Sequence, residues 1–424
     1  MVLRRVLDNG VTVLVDLMAD VRSFSLGFFV RAGSATEPAS RQGGLSHFLE
    51  HLLFKRTRRR TNAAIAREID RLGGDVDAFT TREYTGFYCR TLDTRFDEAL
   101  DLLGDVVLSP AFNAADVEVE RGVILEEIGE ANDNPEDLAH ENFVRAFWKG
   151  HPLGAPILGT EKTIRAIRLD DIYRYYRARY VPGELVVAVA GHVDEDAVFR
   201  AIERLLRRRS RGRRRAGARE RAPRPHRHAR IHRKPGLEQA HLCFGMPASP
   251  QSSGRRYAGA LFDTVLGGGM SSRLFQQVRE RRGLVYTIGS SLNSYMAGGY
   301  ESISAACASK NLPRVVDVTL AELSKLKRGG VRPRELDWAK ENLTGNLVLA
   351  LESTVSRMSA AARQELYFRR TERIEELIAK VEAVTLAEVD AEARRVLDGR
   401  ALSVSVVGNV GRYTVSAAEL AGAL

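Results

Sequence analysis

Apolar residues recur along this chain with two periods, one of two residues and one of three to four. The alternation in SFSLGFFV (23–30) and AHLCFGM (240–246) predicts β-strands, because strand side chains point alternately to opposite faces. In DEALDLLGDVVL (97–108), leucines and valines spaced by three or four positions predict a helix with one apolar face. Both periods occur in both halves of the chain, so the sequence predicts an α+β fold.

An internal repeat divides the 424 residues near their middle. Equivalent landmarks lie 217 to 219 residues apart: Gly27 and Gly245, Gly191 and Gly408, Asp116 and Glu335. The repeat predicts two homologous domains, each an antiparallel-rich sheet with helices packed on it, facing each other across a cleft. We expect a first domain over 1–205, an arginine-rich linker over 206–235 and the second domain over 236–424.

The positive charge of the chain is concentrated in one segment. Residues 204–234 contain 14 Arg and one Lys but a single acid, Glu220, which gives this segment a charge of +14. The net charge of the whole chain is +10, so the residues outside the segment together carry −4. Its Pro and Gly content favours a solvated linker, with a tether to an anionic partner as the alternative. Because the segment lacks aromatic residues for base stacking, no nucleic-acid partner is expected.

Cysteine content and hydropathy predict a cytoplasmic protein. The three cysteines lie far apart and form no CxxC pair, as in proteins of reducing compartments. The start, MVLRRVLDNGVTVLVD, has no apolar segment typical of a secretory signal. No apolar run approaches the roughly 18–20 residues of a membrane span, so none is expected.

The segment GLSHFLEHLLF (44–54) places three polar residues in an otherwise apolar helix. Burial of such residues costs several kcal/mol unless they are paired. His47 and His51 are one helical turn apart and share a face, as two zinc ligands do. Glu50 lies beside them in the order HxxEH, where it can reach a metal-bound water without being a ligand itself.

A catalytic zinc needs a third protein ligand, and the segment 117–130 is the richest acidic source. Glu120 and Glu127 are seven residues apart in it, so they share one face of a helix. Glu126 points elsewhere and remains the alternative. The spacing favours Glu127 over Glu126 only weakly, because the one argument for Glu127 is that Glu120 adds a second carboxylate to the same helix face.

These motifs together resemble the M16 metallopeptidases, a family that includes pitrilysin, insulin-degrading enzyme and the mitochondrial processing peptidase. The resemblance covers essentially the whole chain, and the length is similar to the short-chain branch related to the processing peptidase. It rests on HFLEH, ERGVILEEI, LGGDVDAFTTREYTGFYCRTL (72–92), HPLGAPILGT (151–160) and LGGGMSSRLFQQVRERRGLVYTIGSS (266–291).

The resemblance implies a zinc-dependent endopeptidase or oligopeptidase with one Zn²⁺ per chain. It also implies a role for individual residues: His47, His51 and Glu127 as zinc ligands, Glu50 as general base, Glu120 as a further acidic residue near the metal, and Arg279 and Tyr286 as contacts to peptide and reacting carbonyl.

The segment DAFTTRE (77–83) has strand-like alternation and predicts an edge that pairs with an extended peptide. Phe79 in this strand is a candidate substrate contact. Main-chain hydrogen bonds depend little on the amino-acid sequence of the bound peptide, so short or unfolded peptides are the expected substrates. Family members often have Asn where this chain has Asp77, a change that either favours basic peptides or is a tolerated variant.

The second half lacks the metal set, since an offset of 218 places 47–51 onto VLGGG (265–269). In four-domain relatives the zinc domain is completed by the last domain. We therefore expect a homodimer in which Arg279 and Tyr286 of one chain complete the zinc site of the other. A heterodimer with a related chain is the alternative. A non-catalytic core subunit is the alternative function, and the complete ligand set argues against it.

Overall fold

The computed structural model describes residues 2–38, 43–207, 209 and 221–423. The chain forms two compact units, each built on one β-sheet with helices, which confirms the predicted α+β fold class. Within the described residues, no helix combines the length and the apolar character that a bilayer crossing requires.

The first unit contains a six-stranded sheet in the order β1-β2-β6-β3-β5-β4. Neighbouring strands are antiparallel except β2 and β6, which run parallel. The strands are β1 (Val2–Val6), β2 (Thr12–Leu17), β3 (Ser23–Val30), β4 (Asp75–Thr80), β5 (Thr85–Leu92) and β6 (Leu185–Gly191). The strand predicted over 23–30 is confirmed. The strand predicted over 77–83 begins earlier and ends at Thr80, because 81–84 form the turn into β5.

Local helices cover one face of this sheet. They are α1 (Leu45–Leu53), α2 (Asn62–Leu72), α3 (Phe96–Leu108), α4 (Ala114–Asp133), α6 (Glu161–Ala166), α7 (Leu169–Arg179) and α8 (Glu195–Leu206). Their apolar stripes bury against alternate strand residues such as Phe28, Phe87 and Val187, all fully buried. The helices predicted over 44–54 and 97–108 correspond to α1 and α3.

The other face of the sheet is covered by a helix from the second half of the chain. This helix, α12 (Thr354–Phe368), buries Met358 and Leu366 against Leu14 and Phe29. Two bidentate ion pairs fix its position, since Arg357 binds Asp16 at 2.6 and 2.7 Å and Glu365 accepts from Arg4 at 2.8 and 3.0 Å.

The second unit repeats the pattern with five strands in the order β7-β11-β8-β10-β9. Here β7 and β11 run parallel, as β2 and β6 do in the first unit. The strands are β7 (Ala229–Arg233), β8 (Gln239–Ala248), β9 (Thr287–Ser294), β10 (Gly299–Ala308) and β11 (Ser403–Gly408). The predicted strand over 240–246 lies within β8.

Helices again cover the second sheet, and one of them comes from the first half of the chain. This helix, α5 (Pro135–Phe147), contacts β8 and β11. A π-helical turn spans Phe275–Glu280. The remaining helices are α9 (Arg256–Leu266), α10 (Leu312–Gly329), α11 (Pro333–Ala350), α13 (Ile374–Glu382), α14 (Leu386–Val396) and α15 (Ala417–Gly422).

The two units therefore differ from the contiguous domains expected over 1–205 and 236–424. The first unit includes Val348–Arg373, and the second includes Gly129–Gly154. The reason is that each sheet has a second apolar face, and a helix from the other half of the chain covers it. Part of the expected linker over 206–235 is also strand β7, while 208 and 210–220 lie outside the described residues.

The crossing helices explain the repeated glycine of the two central strands. A Cβ atom at Gly27 would lie 2.9 Å from the sulfur of Met358, on α12. A Cβ atom at Gly245 would lie 1.8 Å from the Phe143 ring, on α5. Each helix approaches its sheet closely enough to leave no room for a side chain at that point.

We expect Gly245→Ala to lower the free energy of unfolding by about 1–3 kcal/mol or more, because the buried Phe143 ring has to move. Gly345→Ala is the matched control, since Gly345 lies in α11 with open space around its Cβ position. Replacing a helical glycine by alanine adds up to about 1 kcal/mol of stability. Thermal unfolding of both variants tests this difference, and equal melting temperatures would contradict it.

Candidate metal centre

Helix α1 carries the three polar residues of the HxxEH segment at the edge of an apolar stripe. Phe48, Leu49 and Leu52 on its other side are buried in the first core. The His47 and His51 side chains are 12% and 18% exposed, so both remain reachable from solvent. The ring centroids of the two histidines lie 4.6 Å apart, as their spacing of one turn predicts.

Helix α4 brings carboxylates to these imidazoles. The Nε2 atom of His47 lies 3.6 Å from one oxygen of Glu127, and Nε2 of His51 lies 3.5 Å from the other. Glu120, two turns earlier on the same face, is 1% exposed. Glu126 is exposed, so the structure places Glu127 rather than Glu126 beside the histidines.

The geometry of the three side chains fits a zinc ion. The two Nε2 atoms are 3.3 Å apart, and within the described residues His47, His51 and Glu127 form the one group of three metal-binding side chains this close. Zinc–nitrogen and zinc–oxygen bonds of about 2.0–2.2 Å give a tetrahedron edges of about 3.3–3.6 Å. The separation of the two Nε2 atoms, 3.3 Å, lies in this range, and the two oxygens of the Glu127 carboxylate lie 3.5 and 3.6 Å from one Nε2 atom each.

Glu120 orients His51. Its Oε2 atom lies 3.0 Å from Nδ1 of His51, and its Oε1 atom lies 2.6 Å from Nζ of Lys55. Donation of the Nδ1 proton to Glu120 leaves the lone pair on Nε2, the atom that faces Glu127 and His47. Burial would raise the pKa of Glu120, but the hydrogen bonds from His51 and Lys55 outweigh it and lower that pKa, so the group stays ionised.

The two histidines differ in their electrostatics. Burial, and secondarily the neighbouring His51, lowers the pKa of His47 to about 4, so its imidazole is neutral at neutral pH. Burial also acts to lower the pKa of His51, but the hydrogen bond to Glu120 and the charge of Glu127 raise it overall. The environment of His51 thus attracts positive charge, whether from a proton or from a metal ion.

Glu50 projects from the same helix and is held by the edge strand. The Thr80 hydroxyl donates to its Oε2 atom at 2.5 Å. Burial raises the pKa of Glu50, the Thr80 hydrogen bond opposes the change, and the charges of Asp77 and Glu127 add to it. A carboxylate with a raised pKa is a better proton acceptor near neutral pH.

The remaining predicted site residues lie elsewhere in their units. Phe79 packs edge-on against Phe29 and Tyr84, on the face of β4 opposite Thr80. Asp77 accepts a hydrogen bond of 3.3 Å from the Tyr88 hydroxyl.

Arg279 and Tyr286 belong to the second unit and contact each other. The Arg279 guanidinium lies 5.4 Å from the centroid of the Tyr286 ring and 4.7 Å from that of Phe275. Tyr286 is 76% exposed, an unusual state for a large aromatic side chain.

Two contacts of the site were missed by the sequence analysis. Lys55 lies one turn beyond His51, so its spacing carried a signal for a shared partner on α4. Thr80 carried no such signal, because its contact with Glu50 depends on how α1 lies against β4.

The mapping of 47–51 onto 265–269 was wrong. The structural counterpart of α1 is α9, which ends at Leu266 and contains no histidine. The constant offset fails because the connection from central strand to helix spans 31–44 in the first unit but only 249–255 in the second.

Comparison with known proteins agrees with this geometry. Residues 12–161 match the sequence model of the family described as Insulinase (Peptidase family M16), and residues 166–343 match that of the Peptidase M16 inactive domain. An uncharacterized zinc protease of Streptomyces coelicolor is 38% identical over 96% of this chain and 89% of its own length. The uncharacterized zinc protease YmxG of Bacillus subtilis is 35% identical over 93% of this chain and 95% of its own length.

A solved structure shows the same fold. The peptidase M16 inactive domain protein from Pseudomonas fluorescens superposes with a TM-score of 0.88, over 98% of this chain and all of that one, at 21% identity. Identity above one third with two zinc proteases over nearly the whole chain is decisive. The chain belongs to the M16 (insulinase) family of peptidases.

Proposed function

We propose that this protein is a zinc-dependent endopeptidase or oligopeptidase that hydrolyses short or unfolded peptides. The observation that carries the proposal is the cluster of His47, His51 and Glu127, in which one ligand atom of each side chain lies within 4.8 Å of the other two, with Glu50 on the helix that carries both histidines. The names of the relatives, zinc proteases in both cases, support the same chemistry.

His47, His51 and Glu127 would hold the zinc ion, one per chain. When bound, zinc supplies Lewis acidity, which lowers the pKa of a water molecule toward about 7 and polarises a carbonyl group. Glu50 accepts the proton of the attacking water and returns it to the leaving amine. The Thr80 hydroxyl holds the Glu50 carboxylate in place for both transfers.

Strand β4 is proposed to bind the substrate backbone. It is the last strand of the first sheet, and its other edge faces no neighbouring strand among the described residues. An extended peptide can add to such an edge through main-chain hydrogen bonds. Glu50, anchored to Thr80 at the end of β4, would then act on a peptide bond near that edge, with Phe79 as a further substrate contact.

The catalytic role of the second unit rests on Arg279 and Tyr286. Their mutual contact and the exposure of Tyr286 suit a pair that touches a bound peptide and donates a hydrogen bond to the developing oxyanion. We propose that they act in a homodimer, where one chain completes the zinc site of the other. A heterodimer with a related chain would use the same pair.

Glu50→Gln tests the assigned base. Loss of the proton acceptor is expected to lower the rate of peptide hydrolysis by about 10²–10⁴-fold, the usual contribution of a general base. Zinc content, measured by elemental analysis, should stay at one per chain because Glu50 is not a ligand. Equal rates in wild type and variant would contradict the assignment.

Glu120→Gln tests the orientation of His51. The amide keeps the size of the side chain but removes the charge that faces Nδ1 of His51, so zinc affinity is expected to fall by about 10–100-fold. Chelator competition measures this, with the exposed Glu126→Gln on the same helix as matched control. Equal zinc affinities of the two variants would show that Glu120 does not contribute to zinc binding.

Hybrid dimers test the shared site. A Glu50→Gln chain and a Tyr286→Phe chain, each expected to have low activity alone, should regain part of the hydrolysis rate when mixed. One of the two sites in each hybrid then contains an intact Glu50 and an intact Tyr286. Stable hybrids without recovered activity would contradict the arrangement.

A further inference from the structure

The N-terminus of the metal-binding helix α1 is capped from a distance. Glu37 lies seven residues before Gly44 and is only 7% exposed. One oxygen of its carboxylate accepts the backbone N–H of Gly44, and the other accepts that of Ser46, both at 2.7 Å. These amides belong to the N-cap and the second residue of the helix that carries His47, Glu50 and His51.

Helix α1 has no cap of its own. Its N-cap residue, Gly44, has φ of 89° and no side chain to accept a hydrogen bond. A Cβ atom there would lie 2.6 Å from the carbonyl oxygen of Leu158, so a capping side chain does not fit. The free amides at a helix start need an acceptor, and a carboxylate also interacts favourably with the positive end of the helix dipole.

Two side chains of α7, Tyr175 and Arg179, bind residues next to this carboxylate. The Tyr175 hydroxyl bridges the Ser46 hydroxyl at 2.7 Å and the Thr36 hydroxyl at 3.1 Å. Arg179 donates to the backbone carbonyl of Thr36 rather than to Glu37. Within the described residues, Glu37 forms no ion pair, and hydrogen bonds from Gly44 and Ser46 stabilise its charge instead.

We propose that Glu37 is a positioning residue of the metal site: its carboxylate fixes the first turn of α1 and thereby sets the affinity of His47, His51 and Glu127 for zinc. This inference rests on the proposed function. Glu37 touches neither ligand nor substrate. It acts by holding the first turn of α1 in its helical form. Molecules in which this turn is frayed lack the aligned histidine pair and bind zinc more weakly.

The charge of Glu37 makes this effect depend on pH. Burial raises the pKa of Glu37 to about 7, against the opposing hydrogen bonds from Ser46 and Gly44. Because the folded pKa lies above the ordinary value, ionisation of Glu37 lowers the stability of the fold as the pH rises through about 7. The ionised carboxylate therefore does not serve global stability at neutral pH.

Protonation of Glu37 weakens the cap at the start of α1. Above about pH 7 both oxygens of Glu37 accept an amide, and below it one oxygen carries a proton and loses acceptor strength. The first turn of α1 is then held by one strong hydrogen bond instead of two. Glu37→Gln reproduces this state at every pH, since a glutamine amide offers one oxygen and one NH₂ group.

The test compares zinc affinity of the full chain, measured by chelator competition, in wild type and Glu37→Gln at pH 8 and pH 6. At pH 8 the variant is expected to bind zinc about fivefold more weakly, in line with the loss of one helix-cap interaction. At pH 6 the ratio should fall to less than about twofold, because wild-type Glu37 is then largely protonated. The ratio cancels the titration of the histidines, which both proteins share.

Glu365→Gln is the matched control. Glu365 is as buried as Glu37 but lies on α12, where it binds Arg4. Whatever its effect on stability, the Glu365→Gln substitution should give a ratio of wild-type to variant zinc affinity that does not vary between pH 6 and pH 8. A purely structural effect of losing a buried carboxylate would make the two variants behave alike, and that result would overturn the inference.

A second measurement on the wild type guards against misfolding of the variant. Hydrogen-exchange protection of the Ser46 amide, corrected for intrinsic rate, should be lower at pH 6 than at pH 8. Unchanged protection, or unchanged affinity in Glu37→Gln, would overturn the inference while wild-type zinc binding stays intact. Absence of zinc binding by the wild type that depends on His47 would instead overturn the proposed function, and the inference with it.

Discussion

The approach of α4 to α1 is the constraint on which the rest of the structure depends. Two imidazoles on an apolar helix are tolerated near the core because α4 presents Glu120 and Glu127 to them. Glu120 is hydrogen-bonded to Nδ1 of His51, and Glu127 faces the Nε2 atoms of His47 and His51. Removing either helix from its place would leave polar groups buried without partners, which is costly. The requirements of folding and of metal binding thus coincide at this contact.

The surrounding fold keeps that contact rigid through interactions at both ends of α1. The helix starts at the Glu37 carboxylate, and near its end Glu50 accepts from Thr80 on the edge strand. The sheet beneath is covered on its second face by α12, so the first unit requires a segment from the far end of the chain.

Local patterns in the sequence predicted the elements and the ligand pair. Alternation located β3 and β8, and the spacing of His47 and His51 fixed their common face because both lie on one helix. The choice between Glu126 and Glu127 remained weak on spacing alone, since it depends on how α4 is rotated against α1. The exchange of α5 and α12 was not predicted, because an amphipathic stripe shows that a helix is covered but not which sheet covers it. The role of Glu37 was not predicted for a similar reason. Its partners are the backbone amides of Gly44 and Ser46, and every residue except proline has such an amide.

The repeat illustrates both the strength and the weakness of constant spacing. It located the two units and the glycines at 27 and 245, whose cause is the close crossing of a helix over each central strand. It failed at the counterpart of the metal helix, where the two connections differ in length. Insertions and deletions collect in such connections, since loops tolerate them far better than strands do.

Anomalous diffraction at the zinc absorption edge, from crystals of the zinc-loaded protein, tests the central claim most directly. A single strong peak per chain is expected within about 2.0–2.2 Å of Nε2 of His47, Nε2 of His51 and a carboxylate oxygen of Glu127. Well-ordered density for these three side chains with no peak between them would contradict the proposed metal centre.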